Sequence, residues 1–356
     1  MLAKGLTLKP KRVTSQDVAD QAGVSRTTVS LVLNDVPGTQ ISAETRQRVI
    51  ATADRLGYVP DAAARALASR RSQIIGLVLT RNPHSIASDG FLTQVLDGCL
   101  EVVHQHGLRL LIDVIDPQHQ KEAYLQLVKA KHIDGLILSG PRFDDHALQT
   151  LKEDDVPVVL MGQIPETDFY SVDVDNRNAS RTAVQHLVKL GHTRIALITN
   201  ADPTYTAASE RLAGYREALE VAQIVYEDKL VRYGDFDVHS GYNQMSDLLD
   251  SGVTITAAFV ASDEVAFGAK AAIREHGFRI PEDIALVGYD NLPLAKYMEP
   301  PLTTIQLPAL NLALQACELL IKLLEGVPPR NKQVLLDTHL VVRESCGAHL
   351  KNQENL

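Results

Sequence analysis

From Gln73 onward the chain consists of short β-branched or leucine-rich runs separated by helical stretches. The runs are IIGLVLT (74–80), LRLLIDV (108–114), IDGLILSG (133–140), VPVVLMG (156–162), RIALITN (194–200), AAFVAS (257–262) and IALVGYD (284–290). They are nearly continuously apolar rather than alternating, so both faces of each strand must be covered, as in a parallel sheet flanked by helices. Seven such runs are many for one lobe at this spacing, which predicts an α/β body of two doubly wound parallel-sheet lobes. Ligands of these sheets bind outside the carboxyl ends of the strands. Small or polar residues stand at several of those ends: Thr80, Ser139, Gly162, Asn200, Ser262, Asp263 and Asp290. Two lobes facing each other would line one cleft with them.

Residues 1–72 differ in charge and in pattern. They hold 11 Lys and Arg against 6 Asp and Glu, a net +5, whereas the remaining 24 basic and 38 acidic residues give −14. A basic head on an acidic body suggests a polyanion-binding module joined to something else. In SQDVADQAGVSRTTVSLVLN (15–34), Val18, Ala19 and Ala22 form one apolar helical face and Gly23 supplies a tight turn. Ser25 then caps a second helix with apolar positions Val29, Val32 and Leu33. This is the helix-turn-helix pattern, and a small helical bundle with a polar surface also fits it. Arg26, Thr27, Thr28, Ser30 and Asn34 fall on the exposed face of the second helix, where they can hydrogen-bond base edges and phosphates. A third helix follows, capped by Ser42 and ended by Gly57, with Val49, Ile50, Ala53 and Leu56 expected inward. The alanine-rich stretch YVPDAAARALASRRS reads either as a marginal short helix or as a plain interdomain linker.

Other function classes find little support. The longest apolar run falls short of the roughly 18 residues a membrane span needs, and the N-terminal stretch lacks an apolar signal core. Cys99, Cys317 and Cys346 are odd in number and widely spaced, arguing against a disulfide framework or a zinc site and for a reduced, cytoplasmic compartment. The chain has no GxSxG, GxxxxGK[ST], HExxH or GxGxxG. His104, His106, His186 and His192 do not assemble into metal-ligand spacing. Glu153, Asp154 and Asp155 read as a solvated loop before a strand, and residues 310–324 as a helix for lobe packing, a dimer surface, or both.

The stretches VTSQDVADQAGVSRTTVSLVLN, ISAETRQRVIATADRLGYVPDAAARAL, HLVKLGHTRIALI, ERLAGYREAL, AAFVASDEVAFGA, IPEDIALVGYDN, PPLTTI and LVVRES occur in order along nearly the whole chain. Together they resemble the LacI/GalR family of bacterial transcription regulators. The resemblance implies a headpiece over 1–58, a hinge helix or linker over 59–72, and an effector-binding and dimerisation domain over 73–356. Its lobes would be periplasmic-binding-protein-like, approximately 73–165 with 305–333 and 166–304 with 334–356, with crossings near 163–168, 300–306 and 328–334. It also implies that Arg26 and Thr27 occupy specificity positions, that Thr14, Ser25, Ser30, Asn34 and Tyr58 position the DNA backbone, and that Leu67 wedges into the minor groove. Such a wedge unstacks a base step and bends the duplex. Leu31 departs from the family, standing where many members carry a guanine-reading arginine.

For the cleft, the resemblance implies that Arg211 and Asp290 grip ligand hydroxyls or carboxylates, that Asp263 or its neighbour lines the site, and that Phe91 stacks on the ligand. A carboxylate accepting two hydroxyls beside a guanidinium fork suits a sugar or sugar-like effector. Simpler readings stay open: Asp290 capping a turn, Arg211 in a surface ion pair, Phe91 as plain core. Ser262 and Leu307 stand where the family commonly has Asn and Gln, losing two sugar-type hydrogen bonds. The expected protein is a non-enzymatic regulator, a repressor acting as a homodimer on a pseudo-palindromic double-stranded operator, with no metal and no cofactor beyond the effector. The competing readings are a solute-binding protein and a doubly wound enzyme, against which stand the helix-turn-helix head and the missing catalytic motifs. The tail after Glu344 is short for a tetramerising helix, which favours a dimer.

Overall fold

The computed structural model describes residues 13–34, 38–59, 71–81, 89–116, 123–124, 126–127 and 133–350. It divides into two compact units, Met1–Ser72 and Gln73–Leu356.

In the first unit, helices α1 (Ser15–Ala22), α2 (Arg26–Leu33) and α3 (Ala43–Leu56) enclose one small core of Val18, Ala19, Ala22, Val29, Val32, Val49 and Ala53. Each helix begins at a side-chain cap: Thr14, Ser25 and Ser42 accept from the backbone N–H groups of Asp17, Thr28 and Thr45. Gly23 turns α1 into α2 with φ +66°, a left-handed conformation that costs glycine nothing. Ile50, expected inward, is 43% exposed; Thr52 takes the inward place two residues on. Leu33 and Leu56 are half-buried at the rim of the core.

The second unit contains two six-stranded sheets. The first has the order β11-β5-β4-β3-β1-β2, from β1 (Ile74–Thr80), β2 (Arg109–Ile115), β3 (Gly135–Ser139), β4 (Val158–Met161), β5 (Tyr170–Val174) and β11 (Gln333–Leu336), all parallel. The second has the order β12-β10-β9-β8-β6-β7, from β6 (Ile195–Thr199), β7 (Val231–Tyr233), β8 (Ala257–Val260), β9 (Ala285–Asp290), β10 (Thr303–Gln306) and β12 (His339–Val341). Only β12 is antiparallel, pairing with β10 at the edge. All seven runs read as strands from the sequence are strands, and the central ones are buried from end to end, as two-sided coverage requires.

Helices α4 (Gly90–Gln105), α5 (Ala147–Glu153) and α10 (Ala309–Leu324) cover the first sheet, and α6 (Asn176–Lys189), α7 (Thr206–Val221), α8 (Val238–Asp250) and α9 (Asp263–Glu275) the second. A Cβ on Gly98 of α4 would lie 2.7 Å from the Leu310 carbonyl oxygen, so α4 and α10 cross in close contact. That contact supports the lobe-packing reading of residues 310–324.

The chain passes between the sheets after Val174, after Gln306 and after Leu336, later than the expected 163–168, 300–306 and 328–334. The shift has a physical reason. Tyr170–Val174 carries polar residues at alternate positions, which disguised it as a connection, yet it pairs with β4 in the first sheet. Edge strand β11 likewise extends the first lobe to Leu336.

Candidate functional site

In the headpiece the expected DNA-facing residues gather around the start of α2. Ser25, Arg26, Thr27 and Ser30 are exposed and Thr28 half-buried. Several are held in place. Ser25 Oγ accepts from the Thr28 N–H at 3.1 Å, and Arg26 Nε donates to Ser15 Oγ at 2.8 Å. Asn34 Nδ2 donates to Ser30 Oγ at 3.2 Å, one turn back on the same face. Thr14 is exposed and closes a capping box with Asp17, whose carboxylate accepts the Thr14 N–H at 2.8 Å. Tyr58 is half-buried against the headpiece core. Leu31 is half-buried too, so the departure at this position presents apolar surface. Leu67 lies outside the described residues.

In the body a cavity of about 940 Å³, its mouth included, opens where the carboxyl ends of both sheets meet. Thr80 of β1, Ser139 of β3 and Gly162 after β4 line it from the first lobe; Asn200 after β6, Ser262 after β8 and Asp290 of β9 line it from the second. The carboxyl ends that the sequence singles out thus share one cavity. Phe91 lines the cavity and also packs against the core.

Arg211 enters the cavity wall from α7 and is 6% exposed. Its Nε donates to Asn176 Oδ1 at 2.9 Å and its Nη1 to the Ala261 carbonyl at 2.7 Å. The guanidinium stacks 3.7 Å from the Tyr289 ring centroid, and Asn176 Nδ2 donates to Asp173 at 3.0 Å. This network excludes the surface ion-pair reading of Arg211. Asp290 ends β9 with φ +121°, strained for a non-glycine residue, and its carboxylate accepts the Asp263 N–H at 3.3 Å. Burial pushes the Asp290 carboxyl up to about 7 against the pull of Arg211, and burial lifts Asp173 to about 6.

Asp263 turns away from the cavity. Fully buried, it accepts the Thr304 hydroxyl at 2.7 Å and the Leu292 N–H at 2.8 Å, tying β10 to the turn after β9. Its neighbours Ser262 and Glu264 line the cavity instead.

Sequence reasoning missed Arg81, Asp89, Asn176, Tyr205 and Phe236, all on the wall. Arg81 follows Thr80 directly, so extending the strand-end rule by one residue would have found it. Asn176 begins the helix after the unrecognised β5.

The lobes touch across the cleft. Tyr205 donates its hydroxyl to the Thr80 carbonyl at 2.6 Å, the Gly90 N–H donates to Glu264 Oε1 at 3.0 Å, and the Phe143 N–H donates to the Thr204 carbonyl at 2.9 Å. Among the described residues no cluster of three His, Cys, Asp or Glu side chains could hold a metal. His186 faces Cys346 and His192 faces Thr256.

Residues 14–61 match the bacterial regulatory proteins of the lacI family, and residues 184–346 match a periplasmic binding protein-like domain. The chain is 36% identical to the HTH-type transcriptional regulator CelR of Thermobifida fusca, over 94% of this chain and 98% of that protein. It is 32% identical to the HTH-type transcriptional repressor CytR of Escherichia coli K12, over 94% and 96%. Among solved structures, it resembles a CelR–cellobiose complex at 35% identity with a TM-score of 0.72, covering 94% of this chain and 100% of that one. It also resembles a lac repressor dimer bound to operator and the anti-inducer ONPF, at 32% identity with a TM-score of 0.82, covering 94% and 99%.

A helix-turn-helix headpiece followed by a two-lobed ligand-binding body defines an effector-responsive DNA-binding transcription regulator rather than an enzyme. The chain belongs to the LacI family of bacterial regulatory proteins.

Proposed function

We propose that this regulator is a repressor that binds a pseudo-palindromic operator as a homodimer, in the cytoplasm, and that a sugar or sugar-like effector in the inter-lobe cleft controls it. One headpiece offers little surface for tight specific binding; two-fold pairing doubles it and matches a symmetric site. Arg26 and Thr27 read bases, while Thr14, Ser25, Thr28, Ser30, Asn34 and Tyr58 position the backbone. Leu67 wedges the operator centre. The lac repressor dimer on its operator and the cellobiose complex of CelR support the reading by likeness.

The observation that carries the effector assignment is the Arg211–Asn176–Asp173 network beside Asp290, buried at the cavity wall and built from both sides of a lobe crossing. A fixed guanidinium and fixed carboxylates recognise hydroxyls by paired donation and acceptance. Ser139, Ser262 and Phe91 complete the contacts. A sugar touching both lobes changes their relative angle, and with it the ability of the paired hinge segments to engage DNA. Sugar and operator affinities are then reciprocally coupled, by about 1–3 kcal/mol.

The test is Arg211→Ala assayed for operator binding with and without a panel of sugars. DNA binding should persist and the sugar response disappear. Loss of the response without loss of sugar binding would contradict the assignment of Arg211 to the effector.

A further inference from the structure

Arg81 stands one residue beyond β1 and Asp89 caps α4, and their side chains are 7% and 6% exposed. Arg81 Nη1 lies 2.5 Å from Asp89 Oδ2, and Asp89 Oδ1 accepts the Leu92 N–H at 2.9 Å. Both oxygens of Asp89 are therefore engaged. Arg81 is only partly satisfied: its Nε is buried with no hydrogen-bond partner among the described residues. Its guanidinium sits 5.3 Å from the Phe236 ring centroid. The Phe236 N–H in turn donates to the Asn200 carbonyl at 2.8 Å, and Asn200 Oδ1 is likewise buried without a partner. Arg81 and Asn200 both line the cavity, and each carries a buried side-chain atom without a partner, one a donor and one an acceptor. Such groups are costly to leave unpaired.

We infer that the buried Arg81–Asp89 pair makes the cleft a charge filter, with Arg81 and Asn200 together taking one hydroxyl of a neutral polyol and Asp89 excluding phosphorylated or carboxylated sugars. The inference rests on the reading of the cleft as the effector site and deepens it. A hydroxyl both donates and accepts, so it answers Asn200 Oδ1 and Arg81 Nε at once. A phosphate or carboxylate oxygen only accepts. It would leave Asn200 Oδ1 facing an anion, on a wall where the carboxyl groups of Asp89, Asp173, Glu264 and Asp290 outnumber the guanidiniums of Arg81 and Arg211. A further negative charge without a full set of partners is expensive there. Burial pushes the Glu264 and Asp290 carboxyls upward, and the nearby Asp89 carboxylate adds to both shifts.

The test uses the full chain and calorimetric titration with matched pairs: glucose against glucose 6-phosphate and glucuronate, cellobiose against cellobionate, lactose against lactobionate. The wild type should bind at least one neutral sugar and its anionic partner at least about 100-fold more weakly. Asp89→Asn keeps a competent helix cap and should narrow that ratio at least tenfold by strengthening the anion. Adding Arg81→Gln to Asp89→Asn should restore discrimination, which mere structural damage would not. A wild type that prefers the anionic partner, or an Asp89→Asn ratio equal to the wild type, overturns the filter. Silence from the whole panel overturns the effector-site reading itself, and the filter with it.

Discussion

The Tyr205 hydroxyl, at the head of α7 in the second lobe, donates to the carbonyl of Thr80 at the end of β1 in the first lobe, 2.6 Å away. The Tyr205 ring is also held by Phe236 of its own lobe, edge-on at 5.0 Å, and by the Arg142 guanidinium of the first lobe at 4.6 Å. The hydroxyl is therefore aimed, and its bond exists only while the lobes are together.

Tyr205→Phe removes that bond and keeps the ring. A net hydrogen bond contributes about 1 kcal/mol, so sugar affinity should fall roughly fivefold while the melting temperature of the isolated body changes little. Calorimetric titration checks it; an unchanged affinity would mean that closure does not depend on this contact.

Stability of the body should carry a recognisable pH dependence. Burial raises Asp290 to about 7 and Asp173 to about 6, above the ordinary carboxylate value near 3.9. The folded chain therefore retains protons that the unfolded chain has released. Their contribution to stability is full below pH ~3.9 and is lost as pH rises through the two folded values. Urea unfolding of the wild type should show stability declining between about pH 4 and 7, and Asp290→Asn should flatten that decline. Parallel wild-type and variant curves would contradict the assignment.

Helices α8 and α9 touch through Gly268, where a Cβ would lie 1.8 Å from the Val238 carbonyl oxygen and 2.6 Å from the Tyr242 nitrogen. Gly268→Ala must push the helices apart, at a cost of about 3 kcal/mol. Chemical denaturation should show the loss in the body and no change in headpiece unfolding.

In the headpiece, two substitutions should separate scaffold from readout. Thr14→Ala removes half of the α1 capping box and should cost about 1 kcal/mol of headpiece stability, weakening all DNA sequences alike. Arg26→Ala should instead relax selectivity at one base-pair position in each half-site, by about 1–3 kcal/mol. Binding to a library of single-base operator variants distinguishes the two patterns.

Much of this was legible in the sequence because continuous apolar runs and helix caps are local signals. Ser25, Ser42 and Gly23 act as their residue types dictate, and the strand-end rule placed Thr80, Ser139, Asn200, Ser262 and Asp290 on one cavity. What stayed hidden depends on pairing between distant segments. Tyr170–Val174 looks like a loop until β4 and β11 flank it, and Asn176 was lost with it. Asp263 carries the right chemistry, but its backbone directs it to Thr304 and Leu292, which spacing along the chain does not reveal. The Arg81–Asp89 pair needed the start of α4 folded back beside the end of β1.

In the proposed coupling, one small molecule between the lobes governs the grip of the headpieces on DNA. Its most direct measurement is fluorescence anisotropy of a labelled operator, first selected from a random pool, titrated with the full chain at several salt concentrations with and without the sugar that binds the cleft. Log affinity should fall with log salt at about −0.9 per phosphate contacted, and saturating sugar should shift the midpoint by roughly 5- to 150-fold. A midpoint that the bound sugar leaves unmoved at every salt concentration would contradict that coupling.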